Sequence, residues 1–297
     1  MVIRRRDILI VTAFPALFVS FTGSWYAVVL FLYYQRVTIP MPLVFTSLLP
    51  MISFAFAVFF GGFFVDRVKM RRPFFLLCFA WTASAFLPLI FKTAVIIPIS
   101  MIASGAFMGS VLPAAYSFLA DQTEVYERGR VGGIARSAAG LLYIIFVLAG
   151  SWSLDLWFAL VGAGAFVMGL VGLVLPEKRI SPKEEWRSVP TRSVFEDRNF
   201  LLFLGLAIVL GFFWSSNTVL VANYAEGILP NPRFTFQLVI STIYFISGFF
   251  SGFLVDRLGR RPIIIIGALF IASGFMPFVF LRAFWTFFLT AVFFAIG

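Results

Sequence analysis

Uncharged runs and short charged clusters alternate along the whole chain. The intervals free of Asp, Glu, Lys and Arg are 8–35, 37–65, 73–91, 93–120, 137–154, 156–176, 199–225, 234–255 and 262–281, and 283–297 opens another. A helix needs about 20 apolar residues to cross the hydrocarbon core of a bilayer, so the pattern predicts nine membrane spans and the beginning of a tenth. The 137–154 interval is short for this, and its helix is expected to start near Val131 and to include Arg136. The first run follows Arg4, Arg5 and Arg6, as in a signal peptide. It is too long for the apolar region of one and lacks a clear small-residue cleavage site, so it reads as a retained span.

The cations fix an orientation. With a cytoplasmic N-terminus, every one of the 23 Lys and Arg residues falls on the cytoplasmic side except Arg36, Lys92, Arg233 and Arg282. This is the positive-inside distribution of a multi-pass protein of the cell membrane, and span count and charge asymmetry support each other. Residues 177–198, EKRISPKEEWRSVPTRSVFEDR, differ from the other loops: they are polar, carry both signs of charge and contain two prolines. They read as a central cytoplasmic linker between a six-span half, residues 1–176, and a second, partial half, residues 199–297.

Composition narrows the chemistry. Charged residues make up 12% of the chain and hydrophobic ones 61%, against about 25% charged in soluble domains. The net charge of +10 is spread between apolar runs instead of gathered in a patch, so the bilayer, and not a nucleic acid, is the expected partner. The chain has no His, and its one cysteine, Cys78, lies in an apolar run where it reads as packing. That excludes His-based proton transfer, Cys/His zinc sites and an internal disulfide. No phosphate-binding glycine loop of the G-x-x-x-x-G-K-[ST] type is present. No cofactor, metal or enzymatic activity is expected.

Two stretches nearly repeat each other: GFFVDRVKMRRP at 62–73, between spans 2 and 3, and GFLVDRLGRRP at 252–262, between spans 8 and 9. A shift of six spans leaves both copies on the same side, the mark of a parallel repeat of two halves related by an axis along the membrane normal. In the second copy Gly252 and Asp256 are four apart, so they share a helix face where the glycine admits a neighbouring helix and the acid can take a partner. Gly259 suits a left-handed helix stop, and Pro262 the first turn of the next helix. Arg257, Arg260 and Arg261 fall at headgroup level, within reach of the acid or of nearby helix ends. The first copy offers Gly62, Asp66, Arg67, Arg71, Arg72 and Pro73, with Lys69 in place of the turn glycine and one extra residue.

These repeats resemble the loop signature of the major facilitator superfamily of secondary transporters, roughly G-x-x-x-D-R-x-G-R-R, which the second copy matches fully. The resemblance extends to ADQTEVYERGRVGG at the end of span 4, with its acid-then-Arg-Gly pattern at Asp121, Arg128 and Gly129, and to FEDRNFL leading into span 7. It implies an all-α membrane fold of two six-helix halves and a small-solute substrate, with or without a coupling ion. It also implies that the loop residues form a cytoplasmic latch: Asp66 and Arg67, with Asp121 nearby, would hold the halves closed in the outward-facing state and release them inward.

The resemblance places the solute cavity between spans 1, 4, 7 and 10. Thr22, Tyr26, Val29 and Tyr33 on span 1 share one stripe at helical spacing, as do Trp214, Asn217, Val221 and Tyr224 on span 7. Asn217 is the most informative, because a mid-membrane amide needs partners. The stripe of Gly105, Gly109 and Tyr116 on span 4 reads as close helix packing. Arg136 could attract an anion, although the more common behaviour of such a residue is to snorkel to the headgroups. No Asp or Glu lies in the middle of a span. The family's proton-coupled drug antiporters carry an Arg on span 4 and a G-P-x-x-G-G pattern on span 5. Here Met101 precedes Gly105, and 137–150 read SAAGLLYIIFVLAG, which speaks against that group.

A complete member of the family has twelve spans, so the second half is expected to be incomplete after the beginning of span 10. The reading is therefore a secondary transporter working by alternating access. The alternative is a non-transporting membrane sensor or scaffold, or a non-functional fragment, with the same fold.

Overall fold

The computed structural model describes residues 43–68, 71–93, 95–124, 127–174, 196–198, 201–202, 204–205, 208–209, 232–274, 276–277 and 284–296. The regular elements among them are all helices: α1 Leu43–Val68, α2 Arg72–Phe91, α3 Ile96–Gln122, α4 Arg128–Trp152, α5 Leu154–Val174, α6 Pro232–Leu258, α7 Arg260–Ser273 and α8 Phe284–Ile296. Helices α1 to α5 correspond to spans 2 to 6, α6 and α7 to spans 8 and 9, and α8 to the opening of span 10. Among the described residues, five helical stretches are long and apolar enough to cross a membrane: Arg72–Phe91, Ile96–Ala120, Arg128–Gly150, Leu154–Val174 and Leu238–Leu258.

Helix ends fall where the sequence supplies a stop. Ser153 is extended between α4 and α5, at φ −157° and ψ 133°, and its Oγ faces the Leu156 N–H at 3.4 Å as an N-cap. Asp155 then occupies the first turn of α5, the end of a helix that favours an anion. Helix α6 stops at Gly259, which takes φ +83° and sends its N–H to Val255 O at 3.0 Å. This is a left-handed C-terminal cap of the kind glycine adopts without steric cost. Pro262 follows in the first turn of α7. The first repeat ends its helix differently: Arg71 Nη1 donates to Val65 O in the last turn of α1 at 2.9 Å. Arg128 does the same for α3, its Nη2 reaching Ala120 O at 3.0 Å. Helix α4 begins at Arg128, one turn before the expected Val131, because Arg128 and Arg130 are exposed at its end and impose no break.

The chain forms two compact units, one of residues 1–177 with 241–259, the other of 178–240 with 260–297. In the first unit the core joins α2, α3 and α5 through Phe75, Cys78 and Trp81, Met101 and Met108, and Trp157 and Met168. Lipid is as apolar as these side chains, so association there rests on close packing and hydrogen bonds more than on water exclusion. Two packing modes supply it. Helices α1 and α3 meet backbone to backbone: a Cβ on Gly105 would come within 2.5 Å of Pro50 O, and one on Gly61 within 3.0 Å of Ser110 Cα. Gly109 is likewise closed in by Phe54 and Ala57. Helix α5 instead receives phenyl rings of α2 in glycine notches, Phe75 at Gly172, Phe79 at Gly169 and Phe86 at Gly162. Buried hydroxyls add hydrogen bonds between α2 and α3: Ser84 Oγ and Ser104 Oγ are 2.9 Å apart, and Ser100 donates to Ser84 O. In the second unit α7 and α8 pack with the Phe270 and Phe293 rings 5.6 Å apart.

Candidate functional site

The second repeat delivers its residues against α4. Helices α4 and α6 each carry a G-x-x-x-G, Gly129/Gly133 and Gly248/Gly252, and these glycines interlock. A Cβ on Gly252 would lie 2.6 Å from Gly129 O, and one on Gly133 would lie 2.6 Å from Gly248 O. Two turns further along α4 from Gly133, a Cβ on Gly140 would come within 2.5 Å of the Phe245 N. With no side chain between them, the two backbones touch, as small-residue spacing permits inside a membrane.

This approach carries Asp256 onto the first turn of α4. Its Oδ2 accepts the Arg130 backbone N–H at 3.1 Å and the Arg130 Nε at 3.0 Å. The first N–H groups of a helix have no partner within it, and the helix dipole favours an anion there. Asp256 thus acts as a cap supplied by a different helix. Its side chain is 13% exposed and that of Arg130 48%, so the backbone bond is the better shielded of the two. The glycine at 129 is required by the same geometry, since a Cβ there would collide with the Asp256 carboxylate.

Deeper along the pair, Arg136 places its guanidinium carbon 4.2 Å from the centroid of the Tyr244 ring, a cation–π contact. Arg257, Arg260 and Arg261 are exposed around the Gly259 turn. The acid beside them pairs with Arg130, a residue the sequence reading did not single out. The G-x-x-x-G spacings on α4 and α6 were the available signal for this contact; of their four glycines the sequence reading had given only Gly252 a packing role.

In the first repeat, Asp66 lies in the last turn of α1 and Asp121 in the last turn of α3. Arg67 stacks on Phe63, 4.1 Å from its centroid. Gly62 has only Pro113 Cβ near, 3.9 Å from where its own Cβ would stand, and Arg72 opens α2. Gly105 and Gly109 pack as expected on α1, whereas Tyr116 is 47% exposed and does not share that packing. Thr22, Tyr26, Val29, Tyr33, Trp214, Asn217, Val221 and Tyr224 lie outside the described residues. Among the described residues, no cluster of three or more His, Cys, Asp or Glu could hold a metal ion.

The family model described as Major Facilitator Superfamily matches residues 13–297. Solved structures similar to this chain include the xylose transporter XylE from E. coli in an inward-open conformation. It is 17% identical, with a TM-score of 0.64, and the match covers 98% of this chain and 79% of that one. A D-xylose–proton symporter matches at 17% identity and a TM-score of 0.60, over 98% of this chain and 79% of its own. The nucleoside transporter NupG, as a mutant, matches at 12% identity and a TM-score of 0.67, over 97% and 79%. No curated protein matches the chain.

Proposed function

Because the chain belongs to the Major Facilitator Superfamily, a family of secondary transporters, we propose that it carries a small solute across the cell membrane by alternating access. The observation that carries the mechanism is the seating of Asp256 on the first turn of α4. Helix α4 belongs to the proposed N-terminal half, residues 1–176, and α6 to the second half beyond the 177–198 linker. Their contact is the closure of one face of the carrier. With the N-terminus cytoplasmic, that face is the cytoplasmic one, and the conformation with Asp256 seated is the outward-facing or occluded state. Opening inward requires the carboxylate to leave Arg130 and the interlocked glycines to part.

The first repeat supplies the symmetry-related half of the latch through Gly62, Asp66, Arg67, Arg71 and Arg72, with Asp121 and Arg128 at the neighbouring helix ends. Arg257, Gly259, Arg260 and Arg261 shape the turn that holds Asp256 in place. Solute contacts fall to Thr22, Tyr26, Tyr33, Trp214, Asn217, Tyr224 and Arg136. The D-xylose–proton symporter among the similar structures makes a coupling ion a reasonable second partner. The protein is a carrier and not an enzyme in this reading.

Reconstitution tests it. Proteoliposomes should accumulate at least one solute from a panel of pentoses, nucleosides, polyols and organic acids faster than protein-free vesicles. Uptake indistinguishable from empty vesicles across the panel, under both an imposed proton gradient and a sodium gradient, would refute transport.

A further inference from the structure

The seam between α4 and α6 encloses an unpartnered hydroxyl, and the inference drawn from it rests on the transport reading. Ser137 lies nine residues into α4, about 14 Å along the axis from Arg128, and is 7% exposed. A Cβ on Gly248 would lie 2.9 Å from its Oγ and 2.8 Å from its N, so the hydroxyl is pressed against the α6 backbone. That Oγ has no hydrogen-bond partner among the described residues. Several other helical hydroxyls donate to a carbonyl three or four residues earlier: Thr82 to Cys78, Ser110 to Ala106, Thr123 to Leu119 and Ser251 to Gly248. Ser137 does not use the equivalent carbonyls of Gly133 and Ile134.

A buried hydroxyl without a partner is costly, because its desolvation is not compensated by a new bond. Here the cost belongs to the closed seam alone. When α4 and α6 part, Ser137 Oγ meets water entering the cytoplasmic opening, and the carbonyls of its own helix stay within reach. The other contacts described at this seam favour closure: the interlocked glycines, the Asp256 cap and the Arg136–Tyr244 stack. A carrier needs its two states close in free energy, since a ligand shifts a lopsided pair only by its differential affinity. Ser137 is the described group that opposes closure.

We infer that Ser137 is a positioning residue of the gate, whose unpaired hydroxyl raises the closed state relative to the open one and keeps the α4–α6 seam releasable. It acts through the helix pair and touches no solute. The sign of the effect is diagnostic. Alanine removes the unsatisfied group and a single atom of packing, and it is the best helix former, so closure strengthens. Were Ser137 plain packing, the lost atom would leave a small void and loosen the seam.

The test uses the full chain in proteoliposomes, with spin labels at Ile134 on α4 and Phe253 on α6, both exposed. Pulsed electron resonance reads the closed-to-open ratio as short and long distance populations. Ser137→Ala is compared with its parent in the wild type and in Asp256→Asn, where a larger open population keeps a rise in closure measurable. The inference expects Ser137→Ala to raise the ratio about fivefold or more in the Asp256→Asn background. Ser251→Ala, which removes a hydroxyl already bonded within its own helix, should not raise it. A ratio unchanged or lowered by Ser137→Ala would overturn the inference while transport stands. An equal rise in Ser251→Ala would assign the effect to helix propensity and overturn it too. A single short-distance population in every variant would mean that the helices never part, and the transport reading and the inference would fall together.

Discussion

Replacing Asp256 probes the closure with the least disturbance of packing. Asp256→Asn keeps the shape and one oxygen able to accept the Arg130 N–H, but removes the charge that draws both the helix end and the guanidinium. Asp256→Ala removes the acceptor as well. The Arg130 Nε bond, with that side chain 48% exposed, is worth about 0.2–1 kcal/mol after solvent screening. The backbone bond is comparable to an N-cap, about 1 kcal/mol. Loss of the charge alone should therefore shift the closed-to-open balance by about 1 kcal/mol, and loss of both bonds by about 2 kcal/mol. These correspond to roughly fivefold and thirtyfold changes in the closed-to-open ratio. Spin labels at Ile134 on α4 and Phe253 on α6, both exposed, report that ratio as a distance distribution by pulsed electron resonance. The longer-distance population should grow from wild type to Asp256→Asn to Asp256→Ala. A distribution unchanged in both variants would show that Asp256 does not hold the helices together.

Two further outcomes follow from the packing. Gly133→Val should separate α4 from α6 and lower the unfolding temperature in detergent, because its Cβ would meet the backbone of Gly248 and Gly252. Gly132→Ala, whose Cβ meets nothing within 4 Å, should leave the temperature unchanged or raise it slightly; equal losses would refute the helix contact. Cys78 is 0% exposed and is the chain's single cysteine. A thiol-reactive coumarin should therefore stay dark on the folded protein and brighten in one transition as the α2, α3 and α5 core melts, whereas prompt labelling at room temperature would contradict that core.

The helices were legible because a bilayer allows little else: long uncharged runs must satisfy their own backbone. Charge clusters gave the ends less well. Arg128 and Arg130 read as loop residues, yet both lie within α4, since an exposed arginine at a helix end costs nothing there. The turn at Gly259 was readable from one residue, because its left-handed φ follows from local chemistry. The partner of Asp256 was not, because Arg130 meets it only through the pairing of two helices far apart in the chain. Their G-x-x-x-G spacings announce close approach but not which helix approaches. Arg136 shows the same limit: its charge and depth could be read, but its direction depends on the Tyr244 ring.

The most direct measurement is to make the closure covalent. In a chain carrying Arg130→Cys and Asp256→Cys, two positions already in contact, oxidation should lock α4 to α6 and stop uptake of the identified solute. A reductant should restore it, and each single variant should be insensitive to the oxidant. Disulfide formation verified by mobility shift, with uptake continuing at the reduced rate, would mean that these helices do not part during transport and would contradict the mechanism.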